Sequence, residues 1–213
     1  MTPLRFETLR TILCLGAHAD DIEIGCGGTI FKLQEMCAPL NIYWVVLSSG
    51  GPRTNEARSS AAHYLQGVAE KQVVIKSFPD SFFPYEAAPI KHYFHALSRE
   101  VKPDLILTHR RDDLHQDHRF VAELTWNAFR DHLIWEYEIP KYDGDLGQPN
   151  TFVALDETHC RRKIDGLFQH FTSQLDKPWF SRDTFEGLMR IRGVECNAPG
   201  RMAEGFTCRK AVW

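Results

Sequence analysis

His18-Ala19-Asp20-Asp21 places an imidazole and two carboxylates within four consecutive residues. His18 and Asp21 offer one nitrogen and one oxygen donor, a mixed borderline pair suited to zinc. Asp20, between them, can face a metal-bound water. The competing structural reading is that both acids cap a turn while His18 packs or is solvated. A second cluster stands much further along the chain, Thr108-His109-Arg110-Arg111-Asp112-Asp113-Leu114-His115-Gln116-Asp117-His118-Arg119. If a helix begins near Gln116, His115 sits at its entrance and His118 on its first turn. Asp117 can then orient one of the imidazoles and fix which nitrogen is available.

The elements that must position these residues read as an alternation. Thr11 to Ala17 is a short apolar run that suggests a strand buried on both faces. The glycine-rich Gly25 to Thr29 follows and leads into a helix from Ile30. Asn41 to Leu47, Val73 to Ile75 and Leu105 to Thr108 read as further strands. Asn55 to Leu65, Ile90 to Val101 and the stretch after Gln116 read as helices. Such alternation predicts an α/β fold with a mainly parallel sheet flanked by helices. Sheets of this kind bind ligands beyond the carboxyl ends of their strands. That rule gathers Ala17 to Gly28, Ser48 to Arg53, Phe78 to Phe83 and His109 to His118 around one crevice. His18, Asp21 and His118 then complete a three-ligand site with an open position for water, the pattern of catalytic zinc, and Asp20 takes the water proton. Beyond these elements, Lys141 to Asn150 reads as an exposed loop, Thr151 to Leu155 as an edge strand, and Cys160 to Phe171 and Thr184 to Ile191 as helices. No linker divides the chain, so one domain over residues 1–213 with a less regular C-terminal third is expected.

His18-Ala19-Asp20-Asp21 followed by Glu23-Ile24-Gly25-Cys26-Gly27-Gly28-Thr29 resembles the N-terminal signature of the zinc-dependent PIG-L/LmbE-like N-deacetylases. His115-Gln116-Asp117-His118 resembles their second signature. Arg53-Thr54-Asn55-Glu56-Ala57-Arg58, with Ala61, Ala62 and Leu65, resembles the pattern between them. The likeness covers Ile12 to Phe129. It implies a Rossmann-like fold and hydrolysis of an N-acyl group, usually acetyl, from an amino sugar or its conjugate. It also implies zinc on His18, Asp21 and His118, Asp20 as general base, His115 in polarisation or proton transfer, and Asp117 in support of a histidine. Ala19 stands where the family usually has proline, which removes no ligand. Fe2+ or Co2+ would suit the same mixed donors.

The substrate would be read by neighbours. Gly27, with Gly25 and Gly28, permits close backbone approach before a helix, and its amide is a candidate for an anionic or hydroxylated ligand. Arg53 is the candidate for substrate oxygens, with Glu56 orienting it, and Asp80 is the candidate for sugar hydroxyls. His109, Arg110 and Arg111 add local positive charge without specifying phosphate. A zinc amidohydrolase for another acyl-amide metabolite, or a metal- or carbohydrate-binding protein without turnover, is the alternative.

The 213 residues carry 25 Lys and Arg against 28 Asp and Glu, a net charge of −3, which gives no global attraction for nucleic acid. No apolar run approaches the roughly 18 to 20 residues of a membrane helix, which argues against integral membrane association. The N-terminus lacks a secretory pattern, and six cysteines without Cys-x-x-Cys spacing read as reduced thiols. A cytoplasmic protein is therefore expected. The family resemblance implies a small N-acylated sugar as its partner, and a homo-oligomer stays open because apolar residues do not divide between core and interface on sequence alone.

Overall fold

The computed structural model describes residue 6 and residues 8–212. Strand β1 (Thr11–His18) leads to α1 (Asp21–Met36), β2 (Asn41–Ser48), α2 (Pro52–Tyr64), β3 (Glu70–Ile75), α3 (Ala87–Glu100), β4 (Leu105–His109) and α4 (Gln116–Ala128). There follow β5 (Ile134–Tyr137), β6 (Thr151–Leu155), α5 (Glu157–His170), a 3-10 turn at Thr172–Gln174, α6 (Arg182–Glu195) and β7 (Met202–Cys208). The strands form one sheet in the order β3-β2-β1-β4-β5-β7-β6. β1 to β5 run parallel, and β7 runs antiparallel to both β5 and β6. The α/β class and the mainly parallel, helix-flanked sheet are as expected, with the irregularity falling in the C-terminal region.

Alternation along the strands sends side chains to two apolar layers. Ile12 and Cys14 join the larger one with Phe31, Trp44, Tyr64 and Leu167, while Leu13, Leu15 and Ala17 join the other with Phe94, Val121 and Phe129. With both faces covered, β1 is a continuous apolar run whose interior is buried. β2 and β3 lie on one side of β1, β4 and β5 on the other. The carboxyl ends of β1 and β4 therefore meet at the point where the winding reverses, the usual crevice of open α/β sheets.

Three local expectations are corrected. The glycine segment is not a loop: α1 begins at Asp21 and runs through it, with one non-helical residue at Cys26. Strands β5 and β7 were not anticipated. The segment 141–150 is irregular as expected, yet it turns the Lys141 and Asp145 side chains inward to 10% and 6% exposure.

Candidate metal centre

β1 delivers His18 at its end, and the chain turns at Asp20, whose φ of 97° is left-handed, before Asp21 opens α1. Aspartate tolerates that conformation better than most residues, and the turn sets the Asp21 carboxylate against the histidines and the Asp20 carboxylate against Arg53. β4 delivers His109 and the loop after it, and α4 starts with His115 as its cap, the Nδ1 accepting the Asp117 backbone N–H at 3.2 Å. His118 follows on the first turn of α4.

Two imidazole nitrogens and both oxygens of Asp21 converge here. His18 Nδ1 lies 3.2 Å from His118 Nε2 and 3.6 Å from Asp21 Oδ2, and His118 Nε2 lies 3.5 Å from Asp21 Oδ1. Ligands about 2.0–2.1 Å from a tetrahedral ion stand about 3.3 Å apart, so this donor set fits a divalent metal. Each imidazole is backed on its far side by a buried carboxylate. His18 Nε2 meets Asp117 Oδ2 at 3.1 Å, and His118 Nδ1 meets Asp113 Oδ2 at 3.1 Å. Such contacts fix the tautomer and leave the inner nitrogen free to ligate. His115, His109, Asp80 and Asp117 supply donor atoms close enough to form overlapping sets with these residues, so the whole cluster is one polar centre.

The groups around the donors are held in distinct protonation states. Burial, then the neighbouring His109, pushes His118 down to about 4, which keeps it neutral. Burial also works against a charged His18, but the Asp117, Asp21 and Asp80 carboxylates outweigh it and raise that ring well above its ordinary value, so a metal ligated by Nδ1 would have to displace its proton. Burial pushes Asp20 up to about 7, against the pull of Arg53. Burial and the charge of His18 lower His115, whose bonded Nδ1 leaves the neutral ring with its proton on Nε2.

Asp80 sits at the lip with its carboxylate 3.1 Å from His18 Nε2, its side chain largely exposed. Arg53 turns inward: its Nη2 is 3.2 Å from Asp20 Oδ2 and also bonds the Ala19 carbonyl, so it braces Asp20 rather than reaching open space. Glu56 only skirts Arg53 at 4.0 Å and instead accepts the Ser173 backbone N–H at 2.8 Å and its hydroxyl at 2.7 Å. Gly27 is buried within α1, where a Cβ would come 2.6 Å from Tyr64 Cε1, so the packing there requires the missing side chain.

Two site residues escaped the sequence reading. Asp113 backs His118 and receives Lys141 at 3.1 Å. His109, fully buried, stacks on His118 at a ring separation of 4.0 Å and lies 3.1 Å from Asp21 Oδ2. The available signal was position: both stand at or just beyond the end of the strand that leads to His118.

A family model described as PIG-L, GlcNAc-PI de-N-acetylase, matches residues 13–129. A curated relative from Escherichia coli K12, an uncharacterised deacetylase called YaiS, is 26% identical over 168 residues, covering 75% of this chain and 89% of that protein. N,N'-diacetylchitobiose deacetylase from Pyrococcus horikoshii superposes with a TM-score of 0.73 at 20% identity, over 94% of this chain and 84% of that one. GalB from Pseudomonas putida KT2440, a 4-carboxy-2-hydroxymuconate hydratase, gives 0.74 at 16% identity, over 96% and 98%. The structural likenesses are of fold, and the fold hosts a deacetylase and a hydratase alike.

Proposed function

Because the chain belongs to the PIG-L, GlcNAc-PI de-N-acetylase, family, we propose that it is a metal-dependent hydrolase that removes an N-acyl group, most simply acetyl, from an amino sugar or its conjugate. The observation that carries this reading is the convergence of His18 Nδ1, Asp21 and His118 Nε2 at 3.2–3.6 Å, with Asp20 beside them. Zn2+ is the ion the donors favour, with Fe2+ and Co2+ as competitors. A metal held there supplies Lewis-acid polarisation of an acyl oxygen and acidifies a water.

The remaining chemistry belongs to side chains of this chain. Asp20 accepts the proton of the attacking water and returns it to the departing amine. Burial helps by bringing its carboxyl close to neutrality, so that both transfers are near balance. Arg53 holds Oδ2 of Asp20, which leaves Oδ1 for the water. His115 donates its Nε2–H to the oxygen on which charge develops, a role that needs no positive ring. Asp117 keeps His18 turned with Nδ1 inward, and Asp80 receives hydroxyls of the sugar at the lip.

The test is a mass-spectrometric screen of N-acylated sugars with zinc-loaded protein and an Asp20→Asn control. Release of acetate with a matching free amine, lost in the control while zinc is retained, is the expected result. Zinc binding without any amine across the panel would overturn the hydrolase reading.

A further inference from the structure

The outer flank of α4 carries an open groove of about 360 Å³, lined by Arg111, Glu123, Trp126, Asn127 and Arg130. Trp126 stands about two turns beyond His118, roughly 12 Å along the helix axis, so the groove floor lies apart from the metal centre. One buried acid organises it. Glu136 is fully buried, and its carboxylate receives the Trp126 Nε1–H at 2.6 Å, the Arg209 Nε–H at 2.8 Å and the Arg111 backbone N–H at 3.3 Å. The indole plane and the root of the Arg111 side chain are therefore fixed by the same group. Arg209 also meets Asp112 at 2.7 Å, so its charge is balanced. Lys210 bonds the Arg130 carbonyl and sets its ammonium 5.7 Å from the centre of the Trp126 ring. Arg111, Arg130 and Lys210 are exposed, and among the described residues no carboxylate pairs with any of them. Three cations gathered around one anchored indole, in a chain of net charge −3, are not accounted for by pairing within the fold.

We propose that this groove binds a nucleoside diphosphate, its base against Trp126 and its phosphates among Arg111, Arg130 and Lys210. The site is independent of the deacetylase reading. Like charges held together repel, and an anion between them relieves the repulsion. Cations beside an aromatic face are the pair of elements with which proteins hold a phosphate and a base. Glu123 and Asn127 narrow the class. A bare inorganic anion has no use for a carboxylate and is repelled by it, whereas the edge of a base or a ribose hydroxyl can donate to Glu123 and pair with the Asn127 amide. The volume matches a ligand of nucleotide size and leaves no continuous track for a polymer.

The experiment is titration calorimetry of the zinc-loaded full chain with ADP, adenosine and pyrophosphate, the last two each offering half of the contacts. ADP is expected to bind at least about tenfold tighter than either half, the size of one stacked base. The double variant Arg111→Ser/Arg130→Ser removes two guanidinium groups but keeps the Arg111 N–H on Glu136 and the Arg130 carbonyl on Lys210. It should melt with the wild type and bind ADP at least about tenfold more weakly. Arg130→Ser alone, whose guanidinium otherwise meets only the Asn127 carbonyl at 3.2 Å, carries the same test should the double variant melt early. Absence of binding at about 1 mM ADP, or full affinity in a folded variant, would overturn the proposal. Pyrophosphate as tight as ADP would remove the base from the site and overturn it too. So would ADP binding that disappears when EDTA strips the zinc, since the nucleotide would then sit on the metal centre. A single-stranded RNA held more than about tenfold tighter than ADP would give the groove to a polymer instead.

Discussion

Every imidazole of the donor set has one nitrogen engaged by a carboxylate, so the carboxylates decide which nitrogen faces inward. Asp113 does this for His118 from within a dense charge environment: the His115 N–H at 2.8 Å, Lys141 at 3.1 Å and the His118 ring at 3.1 Å. Replacing Asp113 with alanine should weaken metal binding about 10–100-fold, measured by competition with a chromophoric chelator. Unchanged affinity in a folded variant would mean that the ring is held by packing alone. His115 and His118 should part company in the same assay. His118→Ala should lose the metal, whereas His115→Ala should keep most of it and lose turnover, because its Nδ1 faces the helix backbone. The residues proposed as ligands, His18, Asp21 and His118, stand out in the sequence because two short signatures carry them. Asp113 was not, since its neighbour Asp112 is chemically identical and only the fold sends one to His118 and the other to Arg209 at 2.7 Å.

At the scale of elements, α1 shows how a glycine cluster can mimic a loop. These helical positions are glycine because neighbours leave no room for a side chain: a Cβ at Gly25 would stand 2.2 Å from Tyr137, and one at Gly28 would stand 2.5 Å from Leu155. The break at Cys26 frees backbone amides, and the Glu204 carboxylate takes the Gly28 N–H at 3.0 Å and the Thr29 N–H at 2.6 Å. Lys163 neutralises Glu204 at 2.6 Å with both side chains 3% exposed. Glu204 lies on β7, whose Met-Ala-Glu-Gly-Phe-Thr-Cys has no apolar alternation to announce a strand, because one of its inward positions serves a helix and not the core. Lys163→Met would leave that carboxylate buried and unpaired, and it should cost about 3–5 kcal/mol in urea unfolding. Gly27→Ala should cost about 1–3 kcal/mol through its clash with Tyr64. Neither variant should weaken metal binding by as much as Asp113→Ala does in the protein that remains folded. A Gly27→Ala protein of normal stability with impaired ligand binding would return the glycine to the substrate site.

For the whole molecule, the alternation of strands and helices was enough to read the class and to predict that two distant segments meet, because a parallel sheet leaves its carboxyl ends on one edge. What composition hid is local charge. The net charge is only −3, yet Asp20, Asp21, Asp113 and Asp117 are all buried at the reversal point between β1 and β4. Buried carboxylates are costly unless paired, and the imidazoles that pair them compete with their own desolvation. A divalent cation at the donor set relieves that cost only in the folded chain, so it must stabilise folding. At a free concentration of about 1,000 times Kd the gain is about 4 kcal/mol, which for a domain of this size corresponds to a rise in Tm of roughly 8–16 °C. Zinc added to chelator-treated protein should produce that rise, and EDTA should reverse it. His118→Ala should show little response to either. If the wild type melts at the same temperature with and without zinc, the buried acids are satisfied by the histidines alone and the centre is not built for a metal.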